Sequence, residues 1–79
     1  MNSIEKISII IPVLNEVKTI AATLASTNTS TNIEVIVVDG GSIDGTLDLV
    51  QSLEIEVLSS PAGRAMQMNA GAEVATGEI

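Results

Sequence analysis

The sequence predicts an α/β fold: a three-stranded parallel sheet in the order 3-2-1, with helices in the crossovers between strands. Strand-like apolar runs and helix-like segments alternate three times along the 79 residues. The run at 33–38 is apolar except for Glu34, which is typical of a buried parallel strand. A hydrophobic fraction of 46% and a mean hydropathy of +0.47 argue against disorder. Residues 1–79 are therefore expected to form at most one domain.

The first strand is predicted at 7–13, and a helix follows it. Asn15 is placed to cap that helix, and Glu16 would lie in its first turn, where an acid is favourable. Residues 26–32 are all Ser, Thr or Asn, so they predict a loop. The apolar residues of the helix recur at spacings of three and four, which marks one helical face: Val17, Ile20, Ala21 and Leu24.

The second strand is predicted at 33–39 and ends in Asp39. A second helix is expected over about 45–53, with Asp44 or Ser42 as its cap. Three of its apolar residues would face inward: Leu49, Val50 and Leu53.

The third strand is predicted at 54–58. Acidic and apolar residues alternate there, which indicates an edge strand with one face in solvent. A turn containing Pro61 leads to a third helix over about 64–75, which Gly77 would end before a fourth strand begins at 78–79. Small residues would let this helix approach the sheet closely: Ala65, Ala70, Gly71, Ala72 and Ala75.

The composition excludes several partners and chemistries. A net charge of −7, from 10 acidic and 3 basic residues, leaves no basic stripe for nucleic acid. The same excess would repel a pyrophosphate, so a diphosphate ligand would need a metal cation or Arg64 beside it. Cys and His are absent, which removes disulfides, a thiol nucleophile and the commonest general base and zinc ligand. No aromatic ring is present to stack on a base.

No membrane segment is expected in this chain. The apolar run at 7–14 is too short to span a bilayer, and its flanks do not resemble those of a signal peptide. A cytoplasmic location is therefore the expectation, with membrane association left open for a longer protein that contains this chain.

Asp39 carries the strongest functional signal, because a buried strand delivers its carboxylate to the carboxyl end of the sheet. Gly40 and Gly41 then allow a tight turn or the close approach of a ligand. Ligands of open α/β sheets bind at this edge, so Asp39 is a candidate for contacting a nucleotide. The alternative is a strand terminator and turn former, since Asp is common in turns.

Arg64 and Glu16 are weaker candidates for ligand contacts. Arg64 stands at a predicted helix start, where a cation opposes the helix dipole unless an anion docks there. A solvated surface residue is the alternative. Glu16 is favourably placed by the dipole alone, so a ligand role is not required to explain it. Other phosphate motifs are missing, because the chain has neither G-x-G-x-x-G after its first strand nor a Gly-Lys-Ser/Thr triplet.

Three segments together resemble the family 2 glycosyltransferases. They are Ile-Ile-Ile-Pro-Val-Leu-Asn-Glu at 9–16, Val-Val-Asp-Gly-Gly-Ser-Ile-Asp-Gly-Thr at 37–46 and Gly-Arg-Ala-Met-Gln-Met-Asn-Ala-Gly-Ala at 63–72. The resemblance covers nearly the whole chain. It implies a GT-A fold with a Rossmann-like sheet, a nucleotide-sugar donor, a divalent metal such as Mg²⁺ or Mn²⁺, and transfer with inversion at the sugar carbon.

The resemblance also implies donor-binding roles for five residues. Pro12 and Leu14 match the loop that borders the base and ribose, although many members have Tyr at the position of Leu14. Glu16 matches an acid near the ribose or base. Asp39 matches the residue that accepts a hydrogen bond from the ring imide of uracil, which favours a UDP-sugar. Arg64 matches a basic residue near the base and phosphates.

The chain departs from the family pattern at its end. The family's Asp-X-Asp motif, which holds the metal and the diphosphate, normally follows the Asn-X-Gly-Ala segment, and the sequence stops at Ile79 before any such motif. The metal site, the catalytic base and the acceptor-binding half are therefore expected outside residues 1–79. We interpret the chain as the N-terminal, donor-binding part of an incomplete GT-A domain, without a catalytic residue and without turnover of its own.

A second hypothesis belongs to another class: a non-catalytic α/β module that self-associates. The predicted first strand has an apolar, unpaired edge, through which copies of the chain could pair into a homo-oligomer. Sedimentation discriminates the two hypotheses, since a stable monomer at high concentration argues against edge pairing.

Overall fold

A computed structural model describes residues 6–27, 32–77 and 79. Strands and helices alternate along them, which confirms the predicted α/β class. The predicted loop at 26–32 lies mostly outside the described residues, as does Glu78 of the predicted fourth strand. The elements are β1 (Ile7–Val13), α1 (Ile20–Thr27), β2 (Ile33–Asp39), α2 (Thr46–Ser52), β3 (Glu56–Ser59) and α3 (Arg64–Val74).

The three described strands form one parallel sheet with β2 in the centre, which confirms the predicted order. The last residues of the strands lie level: Val13 pairs with Asp39, and Asp39 pairs with Ser59. All three strands therefore end at one side of the sheet, which we call the carboxyl edge. The opposite side, where the strands begin, is the amino edge.

The core has two parts, one on each face of the sheet. Val37 of β2 points to the face covered by α1 and α2, whereas Ile36 and Val38 point to the face covered by α3. Because β2 is buried on both faces, its sequence is almost continuously apolar. The buried residues of the first part are Val13, Ile20, Leu24, Val37 and Val50, and those of the second are Ile10, Ile36 and Val38.

The first helix begins later than predicted, at Ile20. Asn15 has a left-handed backbone with φ of 54°, and its side chain accepts a hydrogen bond from the Ile43 N–H, so it does not cap α1. The N–H groups of Thr19 and Ile20 instead donate to the Glu16 carbonyl at 3.1 and 2.9 Å. The predictions that Asn15 caps the helix and that Glu16 lies in its first turn are therefore wrong.

The second helix and third strand differ from prediction in detail. Gly45, with φ of 96°, takes the N-cap position of α2, and the Asp44 carboxylate accepts the Thr46 N–H at 3.0 Å. Leu53 follows the end of α2 and is 43% exposed, so it does not face inward. β3 begins at Glu56 because Glu54 has φ of 60°, which a strand does not accommodate.

The third helix lies close to the sheet, as its small residues predict. A methyl group added at Gly71 would lie 2.5 Å from Ile10 Cγ2, so the α3 backbone rests directly on β1. A larger residue at position 71 would force either the helix or the Ile10 side chain to move.

Polar groups at the amino edge tie the segment after α3 to the start of the sheet. Glu34 Oε1 accepts hydrogen bonds from the Ser8 hydroxyl at 2.7 Å and from the Thr76 N–H at 3.1 Å. The buried Ser8 hydroxyl in turn accepts the Gly77 N–H at 2.9 Å, and Lys6 Nζ donates to the Thr76 hydroxyl at 2.7 Å. We call this group of five residues the amino-edge cluster.

Candidate functional site

The five predicted site residues all lie at or near the carboxyl edge. Asp39 is the last residue of β2. Pro12 is the second-last residue of β1, and Leu14 directly follows that strand. Glu16 lies in the connection from β1 to α1, and Arg64 begins α3, which follows the end of β3. The topology therefore brings these residues to one side of the sheet, where ligands of such folds bind.

The Asp39 side chain forms the turn that follows β2. Its Oδ2 atom accepts the N–H groups of Gly41 at 3.0 Å and Ser42 at 2.9 Å. Gly41 has φ of 104°, a backbone conformation that glycine adopts without strain. The alternative role of Asp39 as turn former is thus present in the structure, and it occupies one of the two carboxylate oxygens.

The other Asp39 oxygen, Oδ1, is buried and has no hydrogen-bond partner in the described part of the chain. The residue is only 2% exposed, which differs from the open carboxylate that a nucleotide-contacting role leads one to expect. Buried carboxylate oxygens are nearly always paired, so Oδ1 is expected to find a donor outside the described residues. Oδ1 is therefore an acceptor that an N–H donor could satisfy once the atoms covering it move aside.

Reciprocal hydrogen bonds join the β1–α1 connection to the β2–α2 connection. The Asn15 N–H donates to the Ser42 hydroxyl at 2.8 Å, and the Ile43 N–H donates to Asn15 Oδ1 at 2.8 Å. Ser42 is therefore a link between the two connections and not the cap of α2. Asn15 forms these bonds with a left-handed backbone, a conformation that Asn adopts more readily than most other residues.

A second pair of bonds joins the next residues of the same two connections. The Glu16 N–H donates to the Thr46 hydroxyl at 2.8 Å, and the Val17 N–H donates to Asp44 Oδ2 at 3.2 Å. The Thr46 hydroxyl also donates to Asp44, and this bond is the largest cause that lowers the pKa of the Asp44 carboxyl from its ordinary value. The Val17 and Thr46 N–H groups act in the same direction. The two connections therefore form one braced unit at the carboxyl edge.

The remaining predicted side chains are open to solvent. Leu14 is 44% exposed and Pro12 is half-buried, so both offer aliphatic surface at this edge. Glu16 is exposed, and its carboxylate makes no hydrogen bond to a described residue. Arg64 is exposed and forms no ion pair with any described residue. It stands at the positive end of an 11-residue helix whose N-cap, Gly63, provides no side-chain cap, an arrangement that favours an anion.

Gln67 is a central residue of this edge that sequence reasoning missed. It lies on α3, is only 5% exposed, and places its side-chain amide between the ends of β1 and β2. The sequence did contain a signal for it. Gln67 is polar and lies four residues before Gly71, so both are on the same face of the helix, the face that packs on the sheet. A polar side chain on a sheet-facing stripe must find partners there, and the nearest are strand ends.

A family model described as Glycosyl transferase family 2 matches residues 8–79. The chain belongs to this glycosyltransferase family. The resemblance drawn from the three sequence segments is thereby confirmed, and the parallel sheet with its helices is consistent with the N-terminal half of the family fold. Comparison with curated proteins gave no match.

The structure supplies no metal centre for this glycosyltransferase chain within residues 6–27, 32–77 and 79. Those residues contain no group of three His, Cys, Asp or Glu side chains that could hold a metal ion. The divalent metal implied by the resemblance stays a prediction.

The described helices are short. The longest, α3, has 11 residues, whereas a helix that spans a bilayer needs about 20. No described helix of this glycosyltransferase chain could therefore cross a membrane.

Proposed function

We propose that this chain binds the nucleotide-sugar donor of a glycosyltransferase, with a uridine diphosphate sugar as the donor and transfer with inversion to an acceptor hydroxyl. The family assignment supports the reaction class. The observation that carries the choice of donor is the buried, unpaired Oδ1 atom of Asp39 at the carboxyl edge.

The choice of uridine over cytidine follows from the hydrogen-bonding edges of the bases. The ring nitrogen N3 of uracil carries a hydrogen and donates, whereas N3 of cytosine accepts. A carboxylate is an acceptor only, so an unpaired carboxylate oxygen favours a base with a ring N–H over cytosine, which donates only through its exocyclic amino group. Among the bases with a ring N–H, the choice of uracil rests on the family resemblance. Because the chain has no aromatic residue, the base would contact the aliphatic surface of Pro12 and Leu14 without stacking.

Arg64 and Glu16 are suited to contact the diphosphate and the ribose of the donor. Arg64 is placed to balance part of the diphosphate charge in a chain of net charge −7. The free Glu16 carboxylate is an acceptor for a ribose hydroxyl. Neither contact supplies catalysis, so the proposal assigns this chain donor binding and no catalytic residue. The metal enters the proposal only through the family resemblance, and no step depends on it.

The test is a titration of the ¹⁵N-labelled chain with UDP and with CDP, followed by NMR because binding is expected to be weak. The wild-type chain should prefer UDP. Asp39→Asn keeps an oxygen for the Gly41 and Ser42 N–H groups and places an NH₂ donor at the Oδ1 position. UDP affinity should then fall by about ten- to a hundredfold, from the loss of a charged hydrogen bond, and the preference should shift towards CDP.

Asp48→Asn is the matched control, because it removes one negative charge from an exposed position on α2. It should leave the UDP preference unchanged. Equal binding of UDP and CDP by the wild-type chain, or the same response to Asp39→Asn and Asp48→Asn, would rule out the proposed role of Asp39.

A further inference from the structure

We infer that Gln67 is a positioning residue of the donor site: its side-chain amide holds the start of α3, and with it Arg64, against the ends of β1 and β2. The inference rests on the proposed function for the meaning of that arrangement. The arrangement itself is formed by one buried side chain that contacts three elements at the carboxyl edge.

Both the nitrogen and the oxygen of the Gln67 side-chain amide form hydrogen bonds to the backbone. The Nε2 atom donates to the carbonyls of Val13 at 3.1 Å and Val38 at 2.9 Å. The Oε1 atom accepts the Gly63 N–H at 3.2 Å. A glutamine amide has two donors and one acceptor oxygen, so both donors are satisfied inside the protein. A buried amide satisfied in this way has one preferred orientation.

On the sheet side, the amide controls the peptide that leads into Asp39. The Val38 carbonyl belongs to the peptide group that joins residue 38 to Asp39, and the Val13 carbonyl also accepts the Gly40 N–H at 3.0 Å. A methyl group added at Gly40 would lie 3.0 Å from Gln67 Cδ, so the turn packs against the amide with no free space. A displacement of Gln67 therefore displaces the turn that orients the Asp39 carboxylate.

On the helix side, the same amide closes the first turn of α3. Gly63 is the N-cap residue and lacks a side-chain cap of its own, and its N–H reaches Gln67 one turn later. Arg64 is the next residue after Gly63. Gln67 therefore fixes the relative position of two proposed donor contacts, Asp39 and Arg64, without contacting the donor itself.

The first experiment replaces the amide by a group of the same shape. Gln67→Glu keeps an acceptor for Gly63 but directs its other oxygen at two carbonyl oxygens, so we expect about tenfold weaker UDP binding at neutral pH, as for other orienting partners of a site. Part of the affinity should return at acid pH, because the protonated carboxyl regains one O–H donor. Affinities are compared with those of the wild-type chain at each pH.

Gln51→Glu is the matched control, since it makes the same chemical change at an exposed position of α2. Its UDP affinity should follow the wild type at every pH. If Gln67→Glu behaves in the same way as Gln51→Glu, the inference is overturned even though UDP binds.

A second measurement needs no variant that must fold and no ligand. In the wild-type chain, the side-chain NH₂ protons of Gln67 should exchange with solvent at least about tenfold more slowly than those of Gln51. The Gln67 NH₂ group is buried and forms two hydrogen bonds, whereas Gln51 is exposed. Equal exchange rates would overturn the inference. If the Gln67 protons are protected but the wild-type chain binds no UDP, the proposed function fails while the positioning of α3 by Gln67 stands.

Discussion

The two edges of the sheet use polar side chains in opposite ways. At the amino edge, Glu34 Oε1 receives hydrogen bonds from Ser8 and Thr76, and Lys6 lies close enough to lower its pKa further. At the carboxyl edge, Asp39 Oδ1 receives none from a described residue, and the charged group of Arg64 has no partner among them. At the amino edge a carboxylate oxygen is thus hydrogen-bonded by described residues, whereas at the carboxyl edge a carboxylate oxygen is not.

This difference separates groups that serve stability from groups that can serve binding. In the amino-edge cluster, Glu34 Oε1 and the Ser8 and Thr76 hydroxyls already have hydrogen-bond partners, so a ligand would gain less from them. At the carboxyl edge the braced connections already order the backbone, so a ligand must displace only the atoms that cover Asp39 Oδ1 before it adds a hydrogen bond. Changes at the two edges should accordingly affect different measurements.

The largest effect is expected for Gly40→Ala at the carboxyl edge. The added methyl group would lie 3.1 Å from both Nε2 and Oε1 of Gln67, so the side chain must move and the free energy of unfolding should fall by about 1–3 kcal/mol. Solvent exchange of the Gln67 NH₂ protons should accelerate, and UDP binding should weaken. Urea unfolding followed by far-UV circular dichroism measures the first effect, and NMR the other two.

Gly41→Ala is the comparison that isolates the cause. A methyl group there meets no atom within 4 Å, but φ of 104° imposes strain of about 1–2 kcal/mol on any residue with a side chain. Both variants should lose stability, and only Gly40→Ala should release the Gln67 amide. Unchanged Gln67 exchange in Gly40→Ala would show that the turn and the amide are not coupled.

A smaller effect, confined to stability, is expected for Ser8→Ala at the amino edge. The buried hydroxyl donates to Glu34 and accepts from Gly77, so its removal should cost about 1 kcal/mol in urea unfolding. UDP affinity should stay within about twofold of the wild type, because no contact of the carboxyl edge changes. Ser59→Ala, at an exposed position of β3, should change stability by less than about 0.5 kcal/mol. A parallel loss of UDP affinity in Ser8→Ala would contradict the separation of the edges.

The smallest effect is a dependence of stability on acid. Hydrogen bonds from Ser8 and the Thr76 N–H lower the pKa of Glu34, and those from Thr46 lower the pKa of Asp44. The folded state thus binds protons less readily than the unfolded state. The contribution is complete above the ordinary carboxyl range near pH 4 and is lost as the pH falls through the lowered pKa values.

Urea unfolding at a series of pH values between neutrality and acid measures this dependence. Glu34→Gln keeps an acceptor oxygen but cannot titrate, so it should flatten the acid decline relative to the wild type. Glu56→Gln, at an exposed position of β3, is the matched control. A decline that is equally steep in Glu34→Gln would show that Glu34 does not contribute.

The strands could be predicted from sequence because burial determines their composition. Residues 36–38 are buried on both faces of the sheet, so nearly every position of β2 is apolar and the run stands out. The sheet order and the common edge of the site residues then follow from the handedness of the crossovers. The sheet order and the common edge follow from the direction of the strands and their connections, so they can be predicted without knowledge of side-chain contacts.

The details of the site could not be predicted in the same way, because they depend on contacts between distant segments. Asn15 suits both a helix cap and a left-handed turn, and its partner Ile43, 28 residues away, decides between them. The burial of Asp39 depends on how the connections close over the strand ends. Gln67 left a signal, a polar residue on a sheet-facing stripe, but its partners are backbone carbonyls that no sequence pattern marks.

The contact between Gly71 and Ile10 brings α3 unusually close to the sheet, because Gly71 has no side chain to separate them. Gly71 lies one turn beyond Gln67 on the same side of α3, so the depth of the helix at this point determines how far the Gln67 amide reaches into the gap between strand ends. Gly71, which has no side chain, thereby influences how far Gln67 reaches towards the strand ends. A residue larger than glycine at position 71 is consequently expected to disturb the carboxyl edge, although it lies on the helix and not at that edge.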